Sequence, residues 1–379
     1  MPRRPIHPKS SSPRLPHARR ARVAARGAIW LGVCSFGLLL AGCTKPAGVL
    51  FEAADTLITW PPPPDVPRVR YVGQLRSAED LDAGRSALQQ FGRALFGPGE
   101  PVGVLVSPMG ICTDDAERVF VADRAGRAVH VYDLDSREYQ LWRPTGSFAA
   151  FFAPVALAYD PAGRLFVADS AAGLVHVFDD RGDYLGTLGD NDLARPVGLA
   201  VDPASGNLYI ADVGDHRVVV LSQQDTLIST IGTRGTGPGE FNFPTFLTLD
   251  TTGRLFVADS LNCRVQVFSP EGVFERQIGS RGDMPGYFSQ PKGLAVDDQG
   301  RLFIVDANFE AVQIFDKRGA VLMSFGQEGH GPGEFWLPVD LEFDKSGRIW
   351  VADSYNRRVQ VFEMIPPPAV PEIAGEETP

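Results

Sequence analysis

Between residues 101 and 363 the chain alternates short apolar runs with polar, glycine-containing turns. The runs are rich in Val, Ile, Leu, Phe and Tyr, which is strand length and strand composition. Some alternate strictly, as in RVQVF at Arg264 to Phe268. That pattern buries one face and wets the other. The octamer GRLFVADS occurs letter for letter at Gly163–Ser170 and Gly253–Ser260. Relatives of it appear as AERVFVADR (Ala116–Arg124), GNLYIADV (Gly206–Val213), GRLFIVDA (Gly300–Ala307) and GRIWVADS (Gly347–Ser354). The Asp of each copy stands at Asp123, Asp169, Asp212, Asp259, Asp306 and Asp353, at intervals of 46, 43, 47, 47 and 47 residues. A Pro and an apolar run precede every copy, as in PVGLAVD and PKGLAVD, and a third run follows, as in HVFD and RVQVF. Most copies add a fourth, such as VFERQIG (Val273–Gly279) and AVLMSFG (Ala320–Gly326). Turns such as DPAGRL and DKSGRI place Asp at the entry and Gly near the exit. Asp bonds its own backbone there, and Gly accepts the positive φ of a hairpin.

A unit of four antiparallel strands repeating every 40–50 residues or so predicts an all-β fold, the β-propeller, here with six blades. A single blade cannot bury both its faces, so the blades pack radially on one another. The pattern P-x-G-[ILA]-[AT]-V-D, then G-x-[LI]-[YF]-V-A-D-S, then N-x-R-V-Q-V-F resembles the NHL repeat. NCRVQVF (Asn262–Phe268) and NRRVQVF (Asn356–Phe362) carry it most plainly, and copy five departs from it at Phe309, Glu310 and Ala311. The resemblance implies a propeller fold and leaves function open, because one fold serves many roles.

A ring must join its ends. The last copy stops after three runs at Phe362, while VRYVGQL (Val69–Leu75) reads as a lone strand near the start. GPGE follows it at Gly97–Glu100 and recurs between blades at Gly237–Glu240 and Gly331–Glu334. Val69–Leu75 is therefore predicted to be the outer strand of blade six, which removes open edges at the seam. Between it and GPGE, Leu88, Phe91 and Leu95 fall on one face of a predicted short amphipathic helix, expected to lie against the propeller's flank or an end face, with a membrane-surface helix as the alternative.

The first 42 residues hold eight of the 36 Lys and Arg and none of the 46 Asp and Glu. An apolar stretch from Ala28 then ends in LLLAGC. This describes a secretory signal, and it resembles a bacterial lipoprotein signal with cleavage between Gly42 and Cys43. The resemblance implies lipidation of Cys43. With Thr44 next, it implies an outer-membrane address facing the periplasm. The order along the chain is then a signal (1–42), a Pro-rich tether (43–66), the closing strand and helix (67–100), the propeller (101–363) and an acidic Pro-rich tail (364–379). Without the leader the chain carries a formal −18. That charge works against nucleic acid as a partner, because counterion release needs a basic face.

Chemistry is sparse. The residues after each strand-opening Pro include no His and mostly small or apolar side chains. His130, His176, His216 and His330 fall in third strands, a turn and a connector, too scattered to share one metal ion at about 2 Å per bond. Cys112 and Cys263 lie in blades one and four, so they are read as unbridged, buried small residues. No catalytic residue, metal or cofactor is assigned. Lys292 and Asp340, charged and read as equivalent positions of adjacent inner strands, are the candidate ligand contacts at the channel mouth, or an ion pair there. The recurrent Asp is read as a binder of turn amides, with Arg217, Arg264 and Arg358 as its partners. The function expected is a lipid-anchored envelope propeller that binds a protein, peptide or glycan without catalysis. The alternative is a hydrolase or lyase with its site in the channel.

Overall fold

The computed structural model describes residues 50–51, 57–81, 102–146, 149–190 and 192–366. The leader with Cys43, the helix expected around Phe91 and the tail beyond residue 366 lie outside the described residues. Among those described, no helix is long and apolar enough to cross a membrane. The strands form six antiparallel sheets, five of four strands and one of five. The six inner strands are Pro108–Thr113, Pro154–Tyr159, Pro196–Val201, Pro244–Leu249, Pro291–Val296 and Pro338–Phe343. Each packs on the inner strands of its neighbours, and the last packs on the first, which closes a six-bladed ring.

Burial follows position in the blade. The second strands Leu165–Asp169, Leu255–Asp259 and Leu302–Asp306 are buried at every residue. They lie in mid-blade, covered on both faces by the neighbouring blades, as does the third strand Arg264–Phe268, whose alternation pointed to a wet face but whose every residue is buried. Outer strands such as Phe274–Ile278 alternate between covered and exposed residues. A Pro opens every inner strand because it has no N–H to pair and is tolerated at a strand's first residue. The pairing register shifts just after it in all six blades, for example between Pro291 and Leu294 and between Pro338 and Leu341.

The seam closes as the sequence predicts. Val69–Leu75 pairs antiparallel with Arg358–Met364, from Val69 opposite Met364 to Leu75 opposite Val359. Thr59–Trp60 then adds a fifth strand outside it. The Trp60 ring packs 5.9 Å from Phe325 and 5.8 Å from Phe362, and Tyr71 meets Phe362 at 5.7 Å. Phe51 lies edge-on to Trp350 at 6.0 Å and fills the space above Gly73. Part of the stretch 43–66 is therefore docked on blade six rather than extended as a free tether. The reason is hydrophobic: burying one large aromatic side chain contributes about 2–3 kcal/mol.

Candidate functional site

Each inner strand runs from the inter-blade connector towards its hairpin. The ring thus has a connector end, shared with the turns between second and third strands, and a hairpin end. A channel cavity runs inward from the hairpin end between the inner strands. Chemistry differs at the three places.

At the connector end the recurrent Asp is a structural clamp. Asp123 accepts hydrogen bonds from the Val106 and Ser107 amides at 2.6 and 3.0 Å. Asp169 accepts from Phe152 and Ala153, Asp212 from Ala194 and Arg195, Asp259 from Asn242, Asp306 from Ser289 and Gln290, and Asp353 from Trp336. All six carboxylates are fully buried. Arg264 and Arg358 donate to Asp259 and Asp353 at 2.8 and 2.7 Å and also to connector carbonyls, while Arg217 stands 3.5 Å from Asp212. Gln266 and Gln360 complete the lock, and His130 and His176 hold the same place in the first two blades. Each of these His rings meets a tyrosine hydroxyl, Tyr139 at 3.0 Å and Tyr184 at 3.1 Å. His216 accepts from the Phe243 amide, and His330 meets Asn356. Burial pushes the pKa of Asp123 and Asp169 up. The histidine and amide hydrogen bonds outweigh it and hold both below the usual carboxylate value. In Asp353 burial wins, and its pKa is raised.

The hairpin end pairs its charges within the turn in five of the six blades, and in blade three Asp202 meets Ser205 instead. Asp114–Arg118, Asp160–Arg164, Asp250–Arg254, Asp297–Arg301 and Asp344–Arg348 are ion pairs at 2.6–2.7 Å. The Arg planes lie over Phe120, Phe166, Phe303 and Trp350. Gly163, Gly253, Gly300 and Gly347 take the positive φ these turns demand, 74–86°. The turns enclose a basin of about 1140 Å³ bordered by Asp115, Asp160, Asp180, Asp298, Arg301 and Lys345.

The basin narrows into a channel cavity of about 280 Å³ lined by inner strands. Here the placement of the two sequence candidates is corrected. Lys292 directly follows Pro291, whereas Asp340 stands two places after Pro338, so their positions are not equivalent. Among the described residues Lys292 forms no ion pair, and burial lowers its pKa. Asp340 bridges the seam, accepting from the Ile111 amide of blade one at 2.9 Å. Two residues on, and so on the same side of the strand, Glu342 borders both the channel and the basin. Burial pushes Glu342 up to about 7 and Asp340 well above its ordinary value, the latter helped by Glu342. Buried Cys112 is raised by the same desolvation and the same two carboxylates. The channel thus holds the carboxylate cluster that the strand openings lacked. Glu342 escaped notice because the bulge after the Pro decides which residues face inward. Cys112 and Cys263 are both free and buried, and Cys263 sits in a turn at φ 54° rather than in a strand. Among the described residues no group of three or more His, Cys, Asp and Glu is arranged to hold a metal ion.

This geometry defines a six-bladed β-propeller with two unlike ends. The chain carries NHL repeats, matched at residues 193–221 and 241–268, and a 6-bladed beta-propeller domain matched at 298–365. No curated protein matches it by sequence. Among solved structures it is similar to a streptogramin B lyase, with 14% identity over 69% of this chain and 94% of that one and a TM-score of 0.52. A gluconolactonase from Xanthomonas campestris shares 16% identity over 69% and 87%, with a TM-score of 0.54. An auxiliary nutrient binding protein from Bacteroides ovatus shares 12% over 70% and 71%, with a TM-score of 0.55. These likenesses are of fold.

Proposed function

We propose that the chain is a lipid-anchored module of the bacterial cell envelope that binds a protein, peptide or glycan without transforming it. The observation that carries this reading is the basin at the hairpin end. It is preformed and large enough for a chain segment or several sugar units, and the Arg residues on its rim are already paired within their own turns. A rim of satisfied charges on a rigid ring suits recognition by shape and hydrogen bonding. The anchor is Cys43, and the address is the periplasmic face of the outer membrane. Site-directed photo-crosslinking in intact cells tests the binding site. A crosslinker placed at Gln299 on the basin rim is expected to give a discrete adduct that one at Leu227 on an outer strand does not. Equal labelling from both positions would defeat it. Palmitate labelling that survives Cys43→Ser would defeat the anchor.

The second reading, a hydrolase or lyase in the channel, is favoured by one observation. Glu342 titrates near neutrality where basin meets channel. A general acid–base group works best with its pKa near the working pH. Stoichiometric divalent metal that survives dialysis would move the assignment to this reading.

A further inference from the structure

The connector end carries a second kind of surface. Phe152, Phe243, Met284, Tyr287, Trp336 and Tyr355 stand there, 37–65% exposed. Val102, Val104 and Val106 join them at 43–64%. Trp336 is flanked by His330 at 4.9 Å and Tyr355 at 5.4 Å. Soluble surfaces rarely keep so many large apolar groups on one side without a use.

Arginines are interleaved with them. Arg124, Arg143, Arg195, Arg234, Arg281 and Arg357 are all exposed at this end and distributed around the ring. Arg143 and Arg281 donate to backbone carbonyls, and none of the six is in an ion pair. The exposed carboxylates among the described residues there are Asp190, Asp215, Asp283 and Glu328, and Asp215 is already held by Arg217. Hence this end is basic on a chain whose remainder is strongly acidic. The hairpin end is the reverse, with its arginines neutralised and Asp115, Asp180 and Asp298 exposed.

We propose that the connector end is a membrane-docking face that lies flat on an anionic lipid surface. Its aromatic and aliphatic side chains enter the headgroup region, where amphipathic rings are at home. The free guanidinium groups meet lipid phosphates, each such cation strengthening attraction to an anionic leaflet. The ring is then held by its face as well as by the anchor proposed above, and the basin opens away from the bilayer. Single-stranded RNA would also suit arginine and aromatic side chains. The acidic remainder of the molecule opposes a long polyanion more than it opposes a planar surface touched at one end.

The test uses the chain from Lys45 onward, which contains every strand of the closed ring and lacks Cys43, so it is independent of the anchor. Co-sedimentation with vesicles of equal parts phosphatidylglycerol and phosphatidylcholine is expected to exceed that with phosphatidylcholine alone and to weaken in salt. The combined change Arg195→Glu, Arg234→Glu and Arg281→Glu is expected to weaken it at least about tenfold. Replacing the same three with Gln, should the first variant fold poorly, gives a smaller loss in the same direction. Lys345→Glu at the hairpin end leaves binding unchanged. Trp142 and Trp350 are buried and Trp60 is half-buried against Phe325 and Phe362, so the part of the tryptophan blue shift on binding that is lost in Trp336→Ala reports this face. Equal binding to neutral and anionic vesicles would overturn the proposal. So would charge reversal without effect, or tight binding of an oligouridylate with no vesicle binding. Loss of lipid labelling at Cys43 would leave this face standing and remove only the anchor.

Discussion

The two ends of the ring are built from turns of the same repeat, yet they spend their charges differently. At the hairpin end the Asp of five blades meets the Arg four residues later in its own turn, and the pair remains partly wet. At the connector end the Asp is fully buried and its oxygens are taken by backbone amides. Two blades add a buried Arg, Arg217 is shared between Asp212 and Asp215, and six exposed arginines there form no ion pair among the described residues. Local pairing makes one end a neutralised rim around a basin. Long-range clamping makes the other a rigid platform whose outer side chains are released from structural duty. The repeated Asp residues are alike in sequence and unlike in what depends on them.

The comparison requires a complete ring, so the largest effect comes from opening it. Starting the chain at Arg76 instead of Lys45 removes Val69 and Leu75 from the core and strips Trp60 and Tyr71 from Phe362. The melting temperature is expected to fall by about 10 °C or more. An unchanged melting curve would mean that the seam does not hold the ring.

Next comes the contrast between the ends themselves. Asp353→Ala leaves the Arg358 guanidinium buried without its carboxylate, at a cost of about 3–5 kcal/mol. Asp250→Ala at the hairpin end frees an Arg254 that already reaches water, and costs about 1–2 kcal/mol. Urea denaturation of the two variants side by side measures the difference, and equal losses would erase the distinction between clamp and rim. Glycines sharpen it further. Gly326 at the connector end and Gly347 at the hairpin end have nearly the same φ, 87° and 79°. A Cβ at Gly326 would sit 2.3 Å from the Phe335 ring, whereas one at Gly347 meets nothing within 4 Å. Gly326→Ala is expected to cost about 3 kcal/mol and Gly347→Ala about 1, the backbone strain alone.

Much of this architecture can be read before any coordinates. The six Asp spacings, the Pro openings and the stray strand Val69–Leu75 specify blade count and closure, because each is a local rule repeated. The amide-binding role of the buried Asp was legible too. What escaped depends on register and on distance. Lys292 and Asp340 are not equivalent because they stand one and two places after their Pro, and the bulge behind each Pro shifts the side-chain alternation, so Glu342 looked like any strand residue. The docking of Phe51 and Trp60 depends on aromatic partners some 300 residues away, Phe325, Trp350 and Phe362. The basin and the basic face are sums over all blades, and no single repeat announces them.

A test on pH rather than on a turn probes the channel. Glu342 is raised from 4.5 to about 7, so the folded ring holds this proton more tightly than the unfolded chain does. Its contribution is fully present below pH 4.5 and is lost as pH rises through about 7. Asp340 and Asp353, also raised by burial, act in the same direction. Asp123 and Asp169 act in the opposite one, since they are held below 3.8 and lose their contribution only in more acidic solution. Between pH 5 and pH 8 the channel pair therefore sets the slope, and stability should decline by about 2 kcal/mol, with solvent at the channel mouth screening part of the full effect. Urea titrations at the two pH values measure it. Glu342→Gln should flatten most of the decline and leave the two ends untouched. A wild-type ring that grows more stable from pH 5 to pH 8, or a variant whose slope is unchanged, would show that the channel carboxyl is solvated like any surface glutamate. It would also remove the observation that favours catalysis there.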